Sequence, residues 1–115
     1  MREPRTDFDS VLVYRPKPGM GRLIATAGAI DSGVRGLAVD LAPIRVNWVV
    51  PGAIQTPLLD DFTNGNPAMA EHFAQGSLAK RIGLAEEAAE AYLYSMRCGY
   101  ATGTRIDVDG GALLC

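Results

Sequence analysis

The sequence predicts an α/β fold built on a parallel, doubly wound sheet, and three observations carry that class. Short β-branched runs alternate along the chain with segments whose apolar residues recur at helical spacing. The run Trp48-Val49-Val50 is apolar at every position, as expected where a parallel sheet is covered on both faces. Pro and Gly cluster between the periodic segments, where turns are needed. Strands joined through helices in this order form right-handed crossovers in one sheet. The chain has 115 residues, 48% hydrophobic and 21% charged, which is the size and mixture of one globular domain.

Residues 1–9 are polar and charged and read as a loose N-terminal arm, leaving residues 10–115 as the folded domain. Val11-Leu12-Val13-Tyr14 predicts a first strand, stopped by Arg15-Pro16-Lys17-Pro18-Gly19. From residue 22 to 42, Ile30, Val34, Leu37, Ala38 and Leu41 predict an amphipathic helix with that face inward. Asp31 and Arg35 pair on another face, and Pro43 ends the helix. Residues 44–50 predict a second strand, ended by Pro51-Gly52. Residues 57–80 read as a surface excursion, with a loop at Asn64-Gly65-Asn66-Pro67 and a short helix from 68 to 79. Ala85, Ala88, Ala89, Tyr92, Leu93 and Met96 predict a further helix, whose first turn carries Glu86, Glu87 and Glu90. Thr104 to Val108 alternates as a last strand before Asp109-Gly110-Gly111. Three strands are too few to shield a doubly wound sheet, so the expectation is the second half of a larger fold.

A net charge of −2 gives no basic surplus to neutralise phosphates, which argues against nucleic acid and against a polybasic membrane patch. No run approaches the ~20 apolar residues of a membrane span, and the N-terminus has no signal-peptide pattern, so a cytoplasmic protein is expected. Cys98 and Cys115 lack metal-ligand spacing, and the single His72 offers no His pair. His72 reads as a surface or lid residue, the three glutamates as a solvated helix start, and Cys98 as a small buried residue at a helix end. Asp107 and Asp109 read as capping or pairing groups.

Four stretches, in this order, resemble the C-terminal half of a short-chain dehydrogenase/reductase. They are Arg35 to Asn47, with Leu41-Ala42-Pro43-Ile44-Arg45-Val46-Asn47 at its end; Pro51-Gly52-Ala53-Ile54-Gln55-Thr56; Arg81-Ile82-Gly83-Leu84-Ala85-Glu86-Glu87; and Thr102-Gly103-Thr104-Arg105-Ile106-Asp107-Val108-Asp109-Gly110-Gly111. Residues 89–97 and the short Ala42-Pro43-Ile44-Arg45 look similar to a fungal subset associated with secondary metabolism. The resemblance implies a partial Rossmann-like sheet and NAD(P)-linked interconversion of a carbonyl and an alcohol. It also implies that Pro51, Gly52, Ala53, Ile54 and Thr56 contact the nicotinamide half of NAD(P). Gly52 would let the backbone pass near the ligand, and the Ala53 and Ile54 backbone would bond its carboxamide. On the hexapeptide alone a plain turn competes with that reading, with Thr56 as N-cap of a helix beginning at Pro57.

The family's catalytic Tyr-x-x-x-Lys maps onto Leu23 and Ala27, or onto Ala27 and Asp31 in a shifted register, and neither pair can donate and stabilise a proton as the family pair does. Ser10 lies on the wrong side of the first strand for the family's serine. Tyr14 and Lys17 are spaced one residue too close for the pair. No catalytic residue is therefore assigned. Gly19-Met20-Gly21 is a lone Gly-x-Gly and reads as a hinge, not as a pyrophosphate loop. The expectations are weak cofactor affinity for the chain alone and three alternatives for its role. One is a truncated, diverged oxidoreductase; another is an inactive remnant that pairs with itself or a full-length relative through the helix at 22–42; the last is a chain with no function.

Overall fold

The computed structural model describes residues 18–115. The arm at 1–9, the strand at Val11-Leu12-Val13-Tyr14, Ser10 and the Tyr14/Lys17 pair lie outside the described residues. Helix α1 spans Gly21–Asp40, strand β1 Trp48–Pro51, helices α2 and α3 Pro57–Thr63 and Pro67–Gln75, helix α4 Ala85–Arg97, and strand β2 Arg105–Val108. A 3-10 turn, Ala112–Leu114, closes the chain.

The two strands pair in parallel, from Trp48 opposite Arg105 to Pro51 opposite Val108. Pro51 extends the strand by one residue beyond the expected end. Trp48 donates to the Thr104 carbonyl and Gly52 to the Val108 carbonyl, both at 2.9 Å. Bonding to β2 thus falls on alternate residues, and proline's missing N–H faces the other edge, where β2 requires nothing of it.

β1 begins at Trp48 and not at Ile44, because side chains displace the ladder before it. The Asn47 carboxamide donates to the Ala101 carbonyl at 2.8 Å and accepts from the Thr104 hydroxyl at 2.8 Å. The Val46 N–H donates to the Thr102 hydroxyl oxygen at 3.2 Å. Ile44 is left largely exposed. Arg45 reaches the C-terminus of α4, donating to the Ser95 carbonyl at 2.6 Å, the Met96 carbonyl at 3.1 Å and the Ala101 carbonyl at 3.2 Å. A cation there satisfies carbonyls that a helix end leaves without partners, and it meets the negative end of the helix dipole.

Val49 and Val50 are buried, Val50 almost completely; α4 packs on the sheet, and Ala91 is its buried residue. Helix α1 runs over the expected residues but turns inward a face shifted around the helix from the expected one. Ala27 and Asp31 are its buried residues, whereas Ile30, Leu37 and Leu41 are more than 40% exposed. Val34 and Ala38 of the expected stripe are half-buried, and a Cβ at Gly103 would lie 3.4 Å from that of Ala38. Asp31 pairs with Arg35 at 3.5 Å as its spacing predicts, and it also stands 4.0 Å from Arg105.

The excursion at 57–80 holds two helices where one was expected. Thr56 is the N-cap of α2, and the loop at Asn64-Gly65-Asn66-Pro67 does what its residues dictate. Asn64 and Gly65 take positive φ of 50° and 66°, and the Asn66 carboxamide oxygen caps α3 at Ala68 N–H, 3.0 Å. The Asp109 carboxylate likewise accepts from the N–H groups of Gly111 and Leu113, at 2.9 and 3.1 Å.

Candidate functional site

The segment from Pro51 to Thr56 leaves the carboxyl end of β1, the end where open parallel sheets bind ligands. Its path is fixed by two neighbours. A side chain at Gly52 would meet the Asp109 Cα at 2.8 Å, so the glycine serves the close approach of the β2 end. Asp109 takes the space where a side chain would stand, while the Gly52 backbone itself lines the cavity beside the segment. The second neighbour is Gly83, bridged in parallel to Ile54. Gly83 N–H donates to the Ala53 carbonyl at 2.9 Å, and Gln55 N–H donates to the Gly83 carbonyl at 2.8 Å. A side chain on Gly83 would strike the Ile54 Cδ1 at 2.7 Å.

These bonds use up part of the polar capacity assigned to the loop. The Ala53 carbonyl is taken by Gly83, and the Ile54 carbonyl accepts from the Thr56 hydroxyl at 3.3 Å. The Thr56 oxygen also accepts from Leu59 N–H at 3.4 Å, so the capping role read from the hexapeptide is realised. Among the groups that remain is the Ile54 N–H. The bridge to Gly83 engages the groups on either side of it, so it points to the opposite edge, and it has no protein acceptor among the described residues.

A cavity of about 290 Å³ opens beside this segment. Pro51, Gly52, Ile54 and Thr56 form one wall; Ala53, the remaining residue of the expected set, does not line it. Leu58, Leu59 and Phe62 of α2 form the second wall, and Ala85, Ala88, Ala89 and Tyr92 of α4 the third. Phe62 is held from behind by Phe73, ring centroids 5.8 Å apart and tilted at 46°. Of the residues whose spacing predicted helix α4, Ala85, Ala88, Ala89 and Tyr92 face the cavity.

Around the site the charges are structural. Arg81 grips Glu87 through two bonds of 2.6 and 2.8 Å, and Glu87 also accepts from Leu84 N–H at 2.8 Å. The Arg81 hydrogen bonds, with the Leu84 N–H behind them, lower the Glu87 carboxyl pKa to about 2. Glu87 is thus more than the solvated helix-start residue expected. At the other end of α4, Cys98 is half-buried at the C-cap. The Tyr100 N–H, and after it the Tyr94 hydroxyl, lower its thiol pKa, and the hydrogen bond to Cys98 in turn raises that of Tyr94. Arg45 and Asn47, which tie the approach to β1 to α4 and to the turn into β2, lie in the stretch from Arg35 to Asn47, whose resemblance gave them no role. Their signal was the Arg-x-Asn spacing ahead of an apolar strand.

The two positions matching the family's proton donor and its lysine lie on α1. Leu23 is half-buried and Ala27 fully buried, and neither lines the cavity. His72 is exposed on α3, against the Phe73 ring. Among the described residues no group of three His, Cys, Asp or Glu side chains is placed to hold a metal, and no helix is long and apolar enough to cross a membrane.

Comparison with known proteins agrees with the fold. The family model described as enoyl-(acyl carrier protein) reductase matches residues 10–112. The chain is 41% identical over 101 residues to the short-chain dehydrogenase/reductase malC of Malbranchea aurantiaca, covering 87% of this chain and 38% of that protein. It is 42% identical over 101 residues to the short-chain dehydrogenase/reductase ATR9 of Stachybotrys chlorohalonatus, with 87% and 40% covered. The solved structure of the MalC reductase/Diels-Alderase superposes with a TM-score of 0.84 at 38% identity, covering 90% of this chain and 40% of that one. A small-chain dehydrogenase in complex with NADPH superposes at 0.80, with 35% identity and 90% and 48% covered. The chain therefore spans about two fifths of the length of the curated relatives it matches.

Proposed function

Because the chain belongs to the short-chain dehydrogenase/reductase family, we propose that residues 51–56 are the nicotinamide-side wall of an NAD(P)(H) cleft in a carbonyl reductase or alcohol dehydrogenase of fungal secondary-metabolism type. One observation carries this reading: the Ile54 N–H, unengaged among the described residues, belongs to the segment that walls an apolar cavity at the carboxyl end of β1. A backbone N–H there suits the carboxamide oxygen of nicotinamide. When bound, the cofactor supplies the hydride. The chain's own part is to orient the ring and exclude water with Pro51, Ile54, Leu59 and Tyr92. The matching proton-donor positions carry Leu23 and Ala27, so proton transfer to the substrate is not done by them. The residues that choose NAD or NADP are not among the matched motifs. A reducing cytoplasm fits two free thiols, Cys98 and Cys115.

The test is a fluorescence titration of the full chain with NADPH. Saturable binding is expected, lost in Ile54→Pro, which deletes the N–H, and retained in Ile54→Val. No response at millimolar NADPH, or equal binding by both variants, refutes the reading.

A second reading, in which the chain acts by pairing α1 with a second copy or a full-length relative, is favoured by one observation. Ile30, Leu37 and Leu41 lie along one stripe of α1 and are all substantially exposed. Sedimentation of the purified chain tests it, as argued below.

A further inference from the structure

We infer that the cavity between residues 51–56, α2 and α4 takes an uncharged, flat, mainly hydrocarbon compound of about two fused six-membered rings. The inference rests on the reading above for the wall formed by residues 51–56, and on the cavity itself for the ligand's chemistry.

Size sets the first limit. The cavity measures about 290 Å³. An apolar cavity of ~150 Å³ holds one benzene, so this one has room for a two-ring system. Its volume falls at the small end of ligand pockets, which leaves out long acyl chains lying wholly inside.

The lining sets the second. Every described residue that lines the cavity is apolar or neutral: among them none is Asp, Glu, Lys, Arg or His. A carboxylate or phosphate carried inside would meet no counter-charge, and stripping it of water without one is costly. The polar groups present are few. The Thr56 hydroxyl is already bonded to Ile54 and Leu59, and the Ile54 N–H is assigned to the cofactor, which leaves the Tyr92 hydroxyl to place one carbonyl or hydroxyl oxygen of the ligand.

Shape sets the third. The α4 wall is low where Ala85, Ala88 and Ala89 project, so a flat ring can lie close to the helix backbone. Phe62 stands opposite, locked by its tilted contact with Phe73. Rigid apolar walls on two sides bind a rigid ring at a smaller entropic cost than a flexible chain. Tyr92, 49% exposed, and Leu58, 39% exposed, stand at the open side, where substituents of the ligand can reach water.

The experiment is calorimetric titration of the full chain with naphthol and with a naphthalene disulfonate bearing one sulfonate on each ring, so that a charge must enter in either orientation. Naphthol is expected to bind saturably with one site, and the disulfonate at least tenfold more weakly. Ala88→Phe, which fills the cavity from α4, should lower naphthol affinity at least tenfold. Ala89→Leu, a smaller filling of the same wall, should lower it severalfold, with thermal melting retained. Equal binding of the two naphthalenes, no saturable naphthol binding, or unchanged affinity in a folded Ala88→Phe variant overturns the proposal. The wild-type pair of titrations decides the matter even if Ala88→Phe does not fold. NADPH titrated separately keeps the two readings apart. Naphthol binding without an NADPH response refutes the cofactor wall alone, and an NADPH response without naphthol binding refutes this inference alone.

Discussion

Glu87 holds three groups at once: both nitrogens of the Arg81 fork and the N–H of Leu84 at the start of α4. That arrangement ties the residue 81–84 stretch, which bridges Ile54 through Gly83, to the helix forming the third wall of the cavity. Its folded pKa of about 2 lies below the ordinary value of 4.5. A carboxyl held low in the folded state binds protons more readily once unfolded. Its stabilisation is therefore complete above the ordinary value and drains away as pH falls toward 2. The pair is exposed, which keeps the effect small and salt-dependent. Thermal melts of the wild type and Glu87→Gln at mildly acidic and strongly acidic pH should show the wild-type advantage shrinking as pH falls. An advantage that does not change with pH would mean that the carboxylate charge contributes nothing. A hydrogen-bonded Gln cannot reproduce the bidentate fork.

At the scale of elements, Arg45 joins pieces distant in sequence: the approach to β1, the end of α4 and the turn into β2. Replacing it by Met keeps the aliphatic stem and strands three carbonyls. The loss of charged hydrogen bonds, at about 1.5–3 kcal/mol for such bonds, predicts a fall of about 2 kcal/mol in unfolding free energy. Urea denaturation measures it, and a change within error would mean that water replaces the guanidinium at no cost. Such a clamp was invisible as periodicity, whereas α4 was legible from it nearly to its ends. The loop between α2 and α3 was legible too, because Asn, Gly and Pro act through their own backbone. The buried face of α1 was read only in part: of the expected stripe Val34 and Ala38 are half-buried, whereas Ile30 and Leu37 are exposed and the fully buried positions are Ala27 and Asp31. The candidate site was legible as a place. Motif and strand end located residues 51–56, but the sequence could not tell that Asp109 fills the space at Gly52 or that α2 and α4 supply most of the cavity.

For the molecule as a whole, the apolar surface of α1 decides how the chain behaves in solution. The helix has 20 residues, about 30 Å in length, and among the described residues only Ala27 and Asp31 are buried. Ile30, Leu37 and Leu41 recur at seven and four residues, the spacing of a seam, and Gly33 between them has open space where a side chain would stand. A second helix can approach closely there, and covering these side chains removes apolar area from water at ~25 cal/mol per Å². Sedimentation velocity over a range of concentrations is expected to show reversible association of the full chain. Leu37→Asp sits at the centre of the stripe and is already 49% exposed, so it costs the monomer little while placing a charge in the seam. It should shift the distribution toward monomer by at least tenfold in concentration, with NADPH binding by residues 51–56 unchanged. Wild-type chain that stays monomeric at all concentrations, or association that survives Leu37→Asp intact, would move the contact away from α1. Loss of NADPH binding along with association would instead mean that the cofactor wall is ordered only when α1 is covered.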